Sequence, residues 1–277
     1  MKVQTSVLTA GDGWTAAPQA KDAQLALVFG ASSFLEQPGP FERIAARYPL
    51  AQLVGCSSAG EIAGSAIHDD TLVVAAVSFE HSVVRSATVP VGEAADSREA
   101  AALLSRELLR PGLRAVLVFS DGLRVNGSEL IRGFNESLPP GVLVSGGLAG
   151  DGDRFQRTWV LHRGLPRQGH VAAVGFYGER LKIRHGSRGG WDRFGPERRI
   201  TRSRGNVLFE LDGKPALQLY KTYLGERAED EIEAVVEALP PRTSLVGFYS
   251  YGEISPDPTG PCDHHNQTMT LTTLQEA

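Results

Sequence analysis

The sequence has little cysteine, no long apolar run and no excess of charge of one sign. Two cysteines, Cys56 and Cys262, among 277 residues exclude a secreted disulfide framework and a zinc site built from cysteines. A net charge of -4 with mixed signs argues against nucleic-acid and basic membrane surfaces. The N-terminus lacks the apolar core of a signal peptide, and no stretch approaches the roughly 18 apolar residues of a membrane span. We therefore expect a cytoplasmic protein with no nucleic-acid or membrane partner.

One motif is present in three versions, at residues 53–62, 144–151 and 248–254. Each version is an apolar or aromatic run that breaks into small and hydroxyl residues, followed by a glycine and a carboxylate. A buried strand that ends in serine, glycine and an acid places hydrogen-bonding groups at the mouth of a cavity. The three strand ends are therefore the predicted ligand site.

The repetition extends beyond this motif. Val28 to Gly60 and Val118 to Gly150 are both separations of 32 residues, so the two copies match without a gap. Downstream, Val74–Phe79 and Val171–Phe176 differ at one position. A period of about 90 residues is typical of a duplicated half-domain. The predicted fold is α/β (α+β), with internally duplicated units of mixed β-sheet and flanking helices at about 24–95 and 113–190, and a truncated third unit without its leading strand.

Local signals predict most elements. Helices are expected at 41–48, 96–109 and 128–138, the second starting at Asp96. The strands at 71–79 and 83–90 are separated by three polar residues, which predicts a hairpin. Residues 185–191, rich in glycine, are predicted to be a flexible hydrogen-bonding turn. Residues 1–23 are predicted to be an N-terminal strand and loop.

Four separated motifs resemble the FIST family of bacterial intracellular sensory proteins. They are Gly55-Cys56-Ser57-Ser58-Ala59-Gly60-Glu61-Ile62, His185-Gly186-Ser187-Arg188-Gly189-Gly190-Trp191, Ser250-Tyr251-Gly252-Glu253-Ile254 and His265-Asn266-Gln267-Thr268-Met269-Thr270. The resemblance implies a FIST N-like domain at 24–200 and a shortened FIST C-like domain at 201–277. It also implies a small-molecule sensor that acts alone or beside kinases, cyclases and chemoreceptors, with amino acids or related metabolites as proposed ligands.

The C-terminal portion departs from the family pattern. Relatives are expected to carry a further half-unit, including a strand, after a Tyr-Leu-Gly-Glu segment, but Tyr223-Leu224-Gly225-Glu226 here leads directly into an acidic helix-like stretch. The missing stretch coincides with the leading strand that the third unit lacks, and we interpret it as an internal deletion. A partner chain would then be needed to complete that portion.

The candidate ligand-binding residues fall into three groups. Two of the three acids Glu61, Asp151 and Glu253 could face one cavity and bind a ligand ammonium, or each could simply cap a following helix or turn by accepting backbone N–H groups. The pairs Ser57–Ser58 and Gly146–Gly147 leave room and backbone donors for a carboxylate or phosphate. The full set is Cys56, Ser57, Ser58, Glu61, Gly146, Gly147, Asp151, His185, Ser187, Arg188, Trp191, Tyr249, Tyr251, Glu253, His265 and Asn266.

The loop-like segment with His185 and Ser187 offers different chemistry. Arg188 could hold a ligand carboxylate through a bidentate pair while Trp191 supplies an apolar wall, or the arginine could be solvated and the tryptophan buried. Tyr249 and Tyr251 could line the same cavity, with Glu253 and Asn266, or simply pack. His265 could be a hydrogen-bonding residue of the pocket or a structural histidine bonded to a loop carbonyl.

Haem is the alternative ligand, because some family members resemble haem sensors of nitric oxide. His265 or His185 would then be the axial residue. No Cys-x-x-Cys-His run is present, which excludes covalent haem. Otherwise no cofactor and no metal site are predicted.

Catalysis is the alternative from a different class. Cys56 stands where a strand meets a tight turn, as a nucleophile does in some hydrolases and transferases. The turn lacks a Gly-x-Cys-x-Gly frame, and a buried cysteine is commonly a small apolar residue. We therefore predict a non-catalytic sensor that binds a small polar metabolite and signals through an output protein in trans or through self-association into a homo-oligomer.

Overall fold

The structure, a computed structural model, describes residues 1–9, 13–14, 20–92, 96–152, 154–189, 197–204, 207–216, 219, 246–248, 252–256, 262–265 and 268–276. For residues 186–189, 207 and those from 246 onward, the description concerns the backbone alone. The chain forms two compact units, one of residues 1–189 with 242–277 and one of residues 190–241. No helix among the described residues is both long and apolar enough to cross a membrane.

The helices are α1 (Pro38–Arg47), α2 (Ser97–Leu108) and α3 (Gly127–Ser137). The strands are β1 (Lys2–Thr9), β2 (Leu25–Ala31), β3 (Gln52–Ser58), β4 (Glu61–Ala63), β5 (Ala66–His68), β6 (Thr71–Ser78), β7 (Val83–Pro90), β8 (Leu113–Ser120), β9 (Leu143–Leu148), β10 (Val160–His162), β11 (Leu165–Arg167), β12 (His170–Tyr177), β13 (Leu181–Gly189), β14 (Ile200–Arg204), β15 (Val207–Leu211), β16 (Lys214–Pro215), β17 (Val246–Phe248), β18 (Gly252–Pro256), β19 (Cys262–His265) and β20 (Thr268–Glu276). Asp96 begins α2 as predicted, because its side chain accepts a hydrogen bond of 2.8 Å from the Glu99 amide.

Two six-stranded sheets of the larger unit have the same order. Sheet I runs β1-β6-β2-β3-β10-β11, and sheet II runs β7-β12-β8-β9-β18-β19. In each sheet the third and fourth strands are parallel and every other pair is antiparallel. The sheets are therefore mixed and topologically equivalent, strand by strand.

The remaining strands of this unit form two smaller sheets. One pairs β13 with β20, and the other runs β17-β4-β5. The smaller unit of the chain holds β14, β15 and β16 in one antiparallel sheet.

The two large sheets face each other across an apolar layer, with a helical layer outside each. Phe29 of β2 meets Phe119 of β8 at 5.6 Å between ring centroids, edge to face. α1 packs on the outer face of sheet I, and α2 and α3 pack on the outer face of sheet II. The α+β class with mixed sheets and flanking helices is confirmed.

The predicted hairpin at 71–90 is wrong. Strand β6 lies in sheet I between β1 and β2, whereas β7 lies in sheet II beside β12. Both edges of β6 are already paired with β1 and β2, so the short connection crosses from one sheet to the other.

The predicted turn at 185–191 is also wrong over its described part. Residues up to Gly189 continue β13 and pair with β20 from Leu181–Glu276 to Gly189–Thr268. A distant strand supplies hydrogen-bond partners for this glycine-rich segment, which its local sequence does not indicate.

The gapless match between the repeats is wrong by one residue. Gly55 pairs with Val28, and Gly146 pairs with Val118, so the second connection is one residue longer than the first. Both glycines have φ near +150°, and a Cβ on either would overlap the opposing valine carbonyl and lie 2.8 Å from its nitrogen. Only glycine fits this close approach of two parallel strands. The structural partner of Cys56 in the second repeat is therefore Gly147, not Gly146.

Candidate functional site

The three versions of the motif each stand between two strands of the larger unit, and we call these three positions corners. The first corner joins β3 to β4, the second joins β9 to β10, and the third joins β17 to β18. β10 pairs with β3 (Leu161 opposite Gly55), β18 pairs with β9 (Ile254 opposite Gly146), and β4 pairs with β17 (Ile62 opposite Gly247). The strand that follows each corner thus pairs with a strand of another repeat. This exchange links the three repeats in a cycle, which we call the ring of corners.

The ring lies at the carboxyl ends of two parallel strand pairs. β2 and β3 end together at Ala31 and Ser58, and β8 and β9 end together at Ser120 and Leu148. Ligands of open α/β sheets commonly bind beyond such ends, where short polar segments and backbone groups converge. The first two versions of the motif therefore lie at strand ends of this kind.

Ser57 fixes the first corner to the second. Its hydroxyl accepts a hydrogen bond of 3.0 Å from the Trp159 amide, and its own amide donates to the Trp159 carbonyl at 2.9 Å. Its carbonyl accepts from the Gly150 amide at 2.9 Å. Because these groups are buried and paired, Ser57 has a structural role in this state.

Glu61 is buried and satisfied within the first corner. Ser58 donates a hydrogen bond of 2.6 Å to one carboxylate oxygen, and the hydroxyl and amide of Thr71 donate to the other at 3.0 and 3.3 Å. Burial raises the pKa of Glu61, although these hydrogen bonds oppose the rise. Glu61 thus links the corner to the start of β6 by hydrogen bonds. This is the capping role that the sequence offers as the alternative to ligand binding.

Asp151 is buried and hydrogen-bonded in the second corner, as Glu61 is in the first. Its carboxylate accepts hydrogen bonds of 2.9 Å from the amides of Gln156 and Arg157, and it also binds Ser32 and, at 3.0 Å, Arg154. Burial would raise the pKa of Asp151, but the hydrogen bonds outweigh it and lower the pKa. Asp151 therefore organises residues 151–157 and joins them to the end of β2.

Cys56 points into the apolar layer between the sheets. It is 0% exposed, it packs with Phe29 and Phe119, and burial raises the pKa of its thiol well above the usual value. A nucleophilic cysteine needs an accessible thiolate, and this environment disfavours one. The position fits a small apolar residue of the core.

Register brings three predicted residues into one row. Glu253 of β18 lies opposite Gly147 of β9 and opposite His265 of β19. The small sheet β17-β4-β5 repeats the pattern, because Glu61 lies opposite Phe248 and His68. Glu253 and Glu61 therefore occupy equivalent positions, whereas Asp151, which the sequence aligned with them, lies in the loop before β10.

The other predicted residues are only partly described. His185 is half-buried in β13, and the backbones of Ser187 and Arg188 continue that strand opposite Thr270 and Met269 of β20. Trp191, Tyr249, Tyr251 and Asn266 lie outside the described residues.

Sequence reasoning missed several residues that build the corners. Trp159 is fully buried, donates a hydrogen bond of 3.1 Å to the Ala31 carbonyl and packs edge to face on Phe41 at 5.2 Å. Asp121, after β8, accepts from the amides of Leu123 and Arg124 at 2.8 and 2.9 Å. The available signal for Asp121 was a carboxylate directly after an apolar strand, without the glycine that precedes Asp151.

His162 was also missed. It lies in β10, where Nε2 is 3.2 Å from the Ser86 hydroxyl, which in turn donates to Gln52 at 2.5 Å. Burial lowers the pKa of His162 to about 4, and the positive charges of Arg163 and Arg167 act in the same direction. This histidine is neutral in the folded protein, and a half-buried position between charged neighbours could not be read from its sequence.

The described part of the chain has a surface pocket but no cluster of metal ligands. There, no group of three or more His, Cys, Asp and Glu side chains could hold a metal ion. One surface pocket of about 330 Å³ lies at the opposite end of β3 from the corner, lined in part by Tyr48, Gln52 and Arg163. That pocket does not include a predicted site residue.

The fold and the ring of corners define an α+β domain of repeated units with strand ends gathered at one place. The family model of the FIST N domain matches residues 24–214, more than half of the chain, and the protein belongs to the FIST family. FIST domains are small-ligand-sensing domains of signal transduction, so this chain carries a sensory domain. No curated protein matches the chain.

Proposed function

We propose that this protein is a non-catalytic sensor that binds a small polar metabolite, such as an amino acid, at the ring of corners. The observation that carries the proposal is the cyclic pairing of the three corners through Gly55–Leu161, Gly146–Ile254 and Gly247–Ile62. It gathers three glycine- and serine-rich strand ends at one place, which is where a fold of this kind can surround a small ligand.

The buried polar residues of the first two corners hold the ring in shape. Ser57, Glu61 and Asp151 already make several hydrogen bonds each within the chain. Groups that are fully satisfied gain little from a ligand. We therefore assign direct ligand contact to Arg188, which would pair with a carboxylate, and to the residues near His265.

Two roles for Glu253 are consistent with its position, and a substitution distinguishes them. It shares the pairing position of Glu61, and Ser250 precedes it by three residues as Ser58 precedes Glu61. If Glu253 is a second structural acid, Glu253→Gln lowers the melting temperature of the free protein and leaves the ligand-induced shift intact. If it binds a ligand ammonium, the shift itself is lost.

Thermal-shift measurements against the twenty amino acids, small carboxylates and haemin test this function. A ligand at 100 times its Kd should stabilise the protein by about 2.7 kcal/mol, which is readily measured. We expect an amino acid or carboxylate to act, and Arg188→Ala to abolish its effect. The control is Arg132→Ala, because Arg132 is exposed on α3, where it forms a surface ion pair of 2.5 Å with Glu129.

Three outcomes contradict the proposal. A shift that survives in Arg188→Ala would remove the assigned site. Stabilisation by haemin alone, with a Soret band lost in His185→Ala or His265→Ala, would favour the haem sensor. Turnover of an acyl or amide substrate that vanishes in Cys56→Ala would favour an enzyme.

A sensor must transmit ligand binding to another molecule. We propose a kinase, cyclase or other output protein in trans, or self-association, and place the protein in the cytoplasm. Pull-down with and without the identified metabolite tests the first route, and sedimentation under the same conditions tests the second.

A further inference from the structure

The surface pocket of about 330 Å³ is lined by the end of α1, the start of β3 and the turn between β10 and β11. Tyr48 and Leu53, which are 1% and 4% exposed, form its buried side. A water molecule takes about 30 Å³, so this volume corresponds to about ten non-hydrogen atoms. We call it the hairpin pocket. It lies at the opposite end of β3 from the first corner, and a ligand bound there is separate from one at the ring of corners.

Hydrogen bonds of the backbone fix the walls of the hairpin pocket. The Arg163 amide donates to the Leu53 carbonyl at 2.9 Å, which holds the hairpin turn against β3. The Ala51 amide donates to the Tyr48 carbonyl at 3.1 Å, which fixes the connection from α1 to β3. The pocket is therefore preformed by the chain itself, as small-molecule sites usually are.

Arg163 has a backbone conformation that arginine rarely adopts. The two residues that join β10 to β11 are Arg163 and Gly164, with φ of +53° and +79°. Positive φ at both positions is typical of a type I′ turn, which favours asparagine, aspartate or glycine at its first position. Arginine has a Cβ and no short polar side chain, so it is strained there. Strain of this kind is concentrated at functional sites, which suggests a use for the guanidinium.

Arg163 is the one charged residue of the hairpin pocket. The other six lining residues are uncharged, and Ala45, Pro49, Ala51 and Leu53 among them are apolar. No carboxylate in the described part of the chain forms an ion pair with Arg163. A guanidinium with free donors binds a carboxylate through two parallel hydrogen bonds. The pocket therefore combines apolar walls with one site for an anion.

Gln52 adds a neutral hydrogen-bond donor to the same pocket. Its side-chain oxygen accepts a hydrogen bond of 2.5 Å from the Ser86 hydroxyl, which orients the amide group. Its side-chain nitrogen donates to no group that the structure describes. Because Gln52 lines the pocket, this nitrogen is available to a ligand oxygen.

We propose that the hairpin pocket is a second ligand site, which binds a small carboxylate with an apolar body of about five to seven carbons. The carboxylate pairs with Arg163 and Gln52, and the apolar body lies against the side chains of α1 and β3. An amino acid fits this pocket less well, because the residues that line it include no acid to pair with an ammonium group. The proposal goes beyond the sensor function and does not depend on it.

Ligand-observed saturation-transfer NMR on the full-length protein tests the proposal, with hexanoate as the probe. Hexanol and hexylammonium carry the same apolar chain with a neutral or a positive head group. We expect hexanoate, with about eight non-hydrogen atoms, to bind with a Kd of about 1 mM. Without the charge-assisted hydrogen bonds to Arg163, the other two compounds should bind at least about tenfold more weakly.

Arg163→Asn separates the ligand role of the side chain from its effect on the fold. Asparagine suits the left-handed turn position, so the free protein should melt at a higher temperature than the parent. Hexanoate binding should nevertheless weaken by about tenfold or more. The matched control is Arg167→Asn, which removes the same charge from β11 at a residue that does not line the pocket. It should bind hexanoate within about twofold of the parent.

Ala45→Leu tests the pocket itself without removing a charge. The larger side chain adds apolar volume at the α1 wall, and leucine is a good helix former, so we expect a folded protein that no longer binds hexanoate.

Several results would overturn the proposal. Absence of hexanoate binding, or equal binding of hexanoate and hexanol, would show that Arg163 does not select a carboxylate. Binding that persists unchanged in Arg163→Asn and Ala45→Leu would place the ligand elsewhere. Loss of hexanoate binding in Arg188→Ala, with binding retained in Arg163→Asn, would assign the carboxylate to the ring of corners. That last result would support the sensor function while removing the second site.

Discussion

Replacing Gly55 with alanine should be among the most destabilising single changes in this protein. The backbone of Gly55 has φ +154°, and an added Cβ would overlap the carbonyl oxygen of Val28 across the parallel pair of β2 and β3. A non-glycine residue in this region costs about 1–3 kcal/mol. Forcing an extra methyl into a packed interior costs about another 1–3 kcal/mol. We therefore expect a loss of about 4 kcal/mol in the free energy of unfolding.

A second glycine separates these two contributions. Gly64 also has positive φ, +63°, but nothing lies within 4 Å of a Cβ built there. Gly64→Ala should therefore show the backbone cost alone, about 1 kcal/mol. Gly146→Ala should match Gly55→Ala, because Gly146 has φ +149° and the same overlap with Val118.

Urea denaturation followed by tryptophan fluorescence measures these differences. With a slope of about 3 kcal/mol per molar urea, a loss of 4 kcal/mol moves the midpoint by roughly 1.3 M. A midpoint for Gly55→Ala within about 0.3 M of that for Gly64→Ala would refute the argument. It would mean that β2 and β3 can move apart at this position without a loss in the free energy of unfolding. Glycine would then not be required at the equivalent positions of Gly55, Gly146 and Gly247.

Three further predictions follow from buried groups. The pKa of His162 is about 4 in the folded protein and 6.5 in the unfolded chain, so the protein loses stability as the pH falls from 6.5 towards 4. We expect the free energy of unfolding to be about 1–2 kcal/mol lower at pH 5 than at pH 7, and this difference to disappear in His162→Gln. An equal pH dependence in the variant and the parent would contradict the prediction. Asp151→Ala leaves two partly buried backbone donors without their acceptor and should cost about 2 kcal/mol in urea denaturation, whereas a cost below about 0.5 kcal/mol would show that solvent replaces the carboxylate. In a Cys262→Ser background, Cys56 should react with a thiol reagent at least about a hundredfold faster in urea than in buffer, and equal rates would contradict its burial.

The sequence predicts the local elements of this fold well but not their pairing. The helices at α1, α2 and α3 and the alternation of the strands follow from period and capping, which are local. The partner of a strand depends on which edges are free in the assembled sheet. The short connection after β6 looked like a hairpin for this reason, although β7 belongs to the opposite sheet.

The candidate site was predictable to the same degree. The three corners do meet, because repeated units place equivalent strand ends at equivalent positions. The roles of Glu61 and Asp151 could not be read from their shared position after a glycine. Their partners, Thr71 and the amides of Gln156 and Arg157, come from outside the motif, and only the fold brings them within 3.3 Å.

The cyclic exchange of strands explains why the described strands of the third repeat belong to the same unit as the other two repeats. β18 and β19 complete sheet II, and β17 completes the sheet of β4 and β5, so each described part of the third repeat is paired to another repeat. The third repeat is therefore held in the larger unit through strands that it shares with its neighbours.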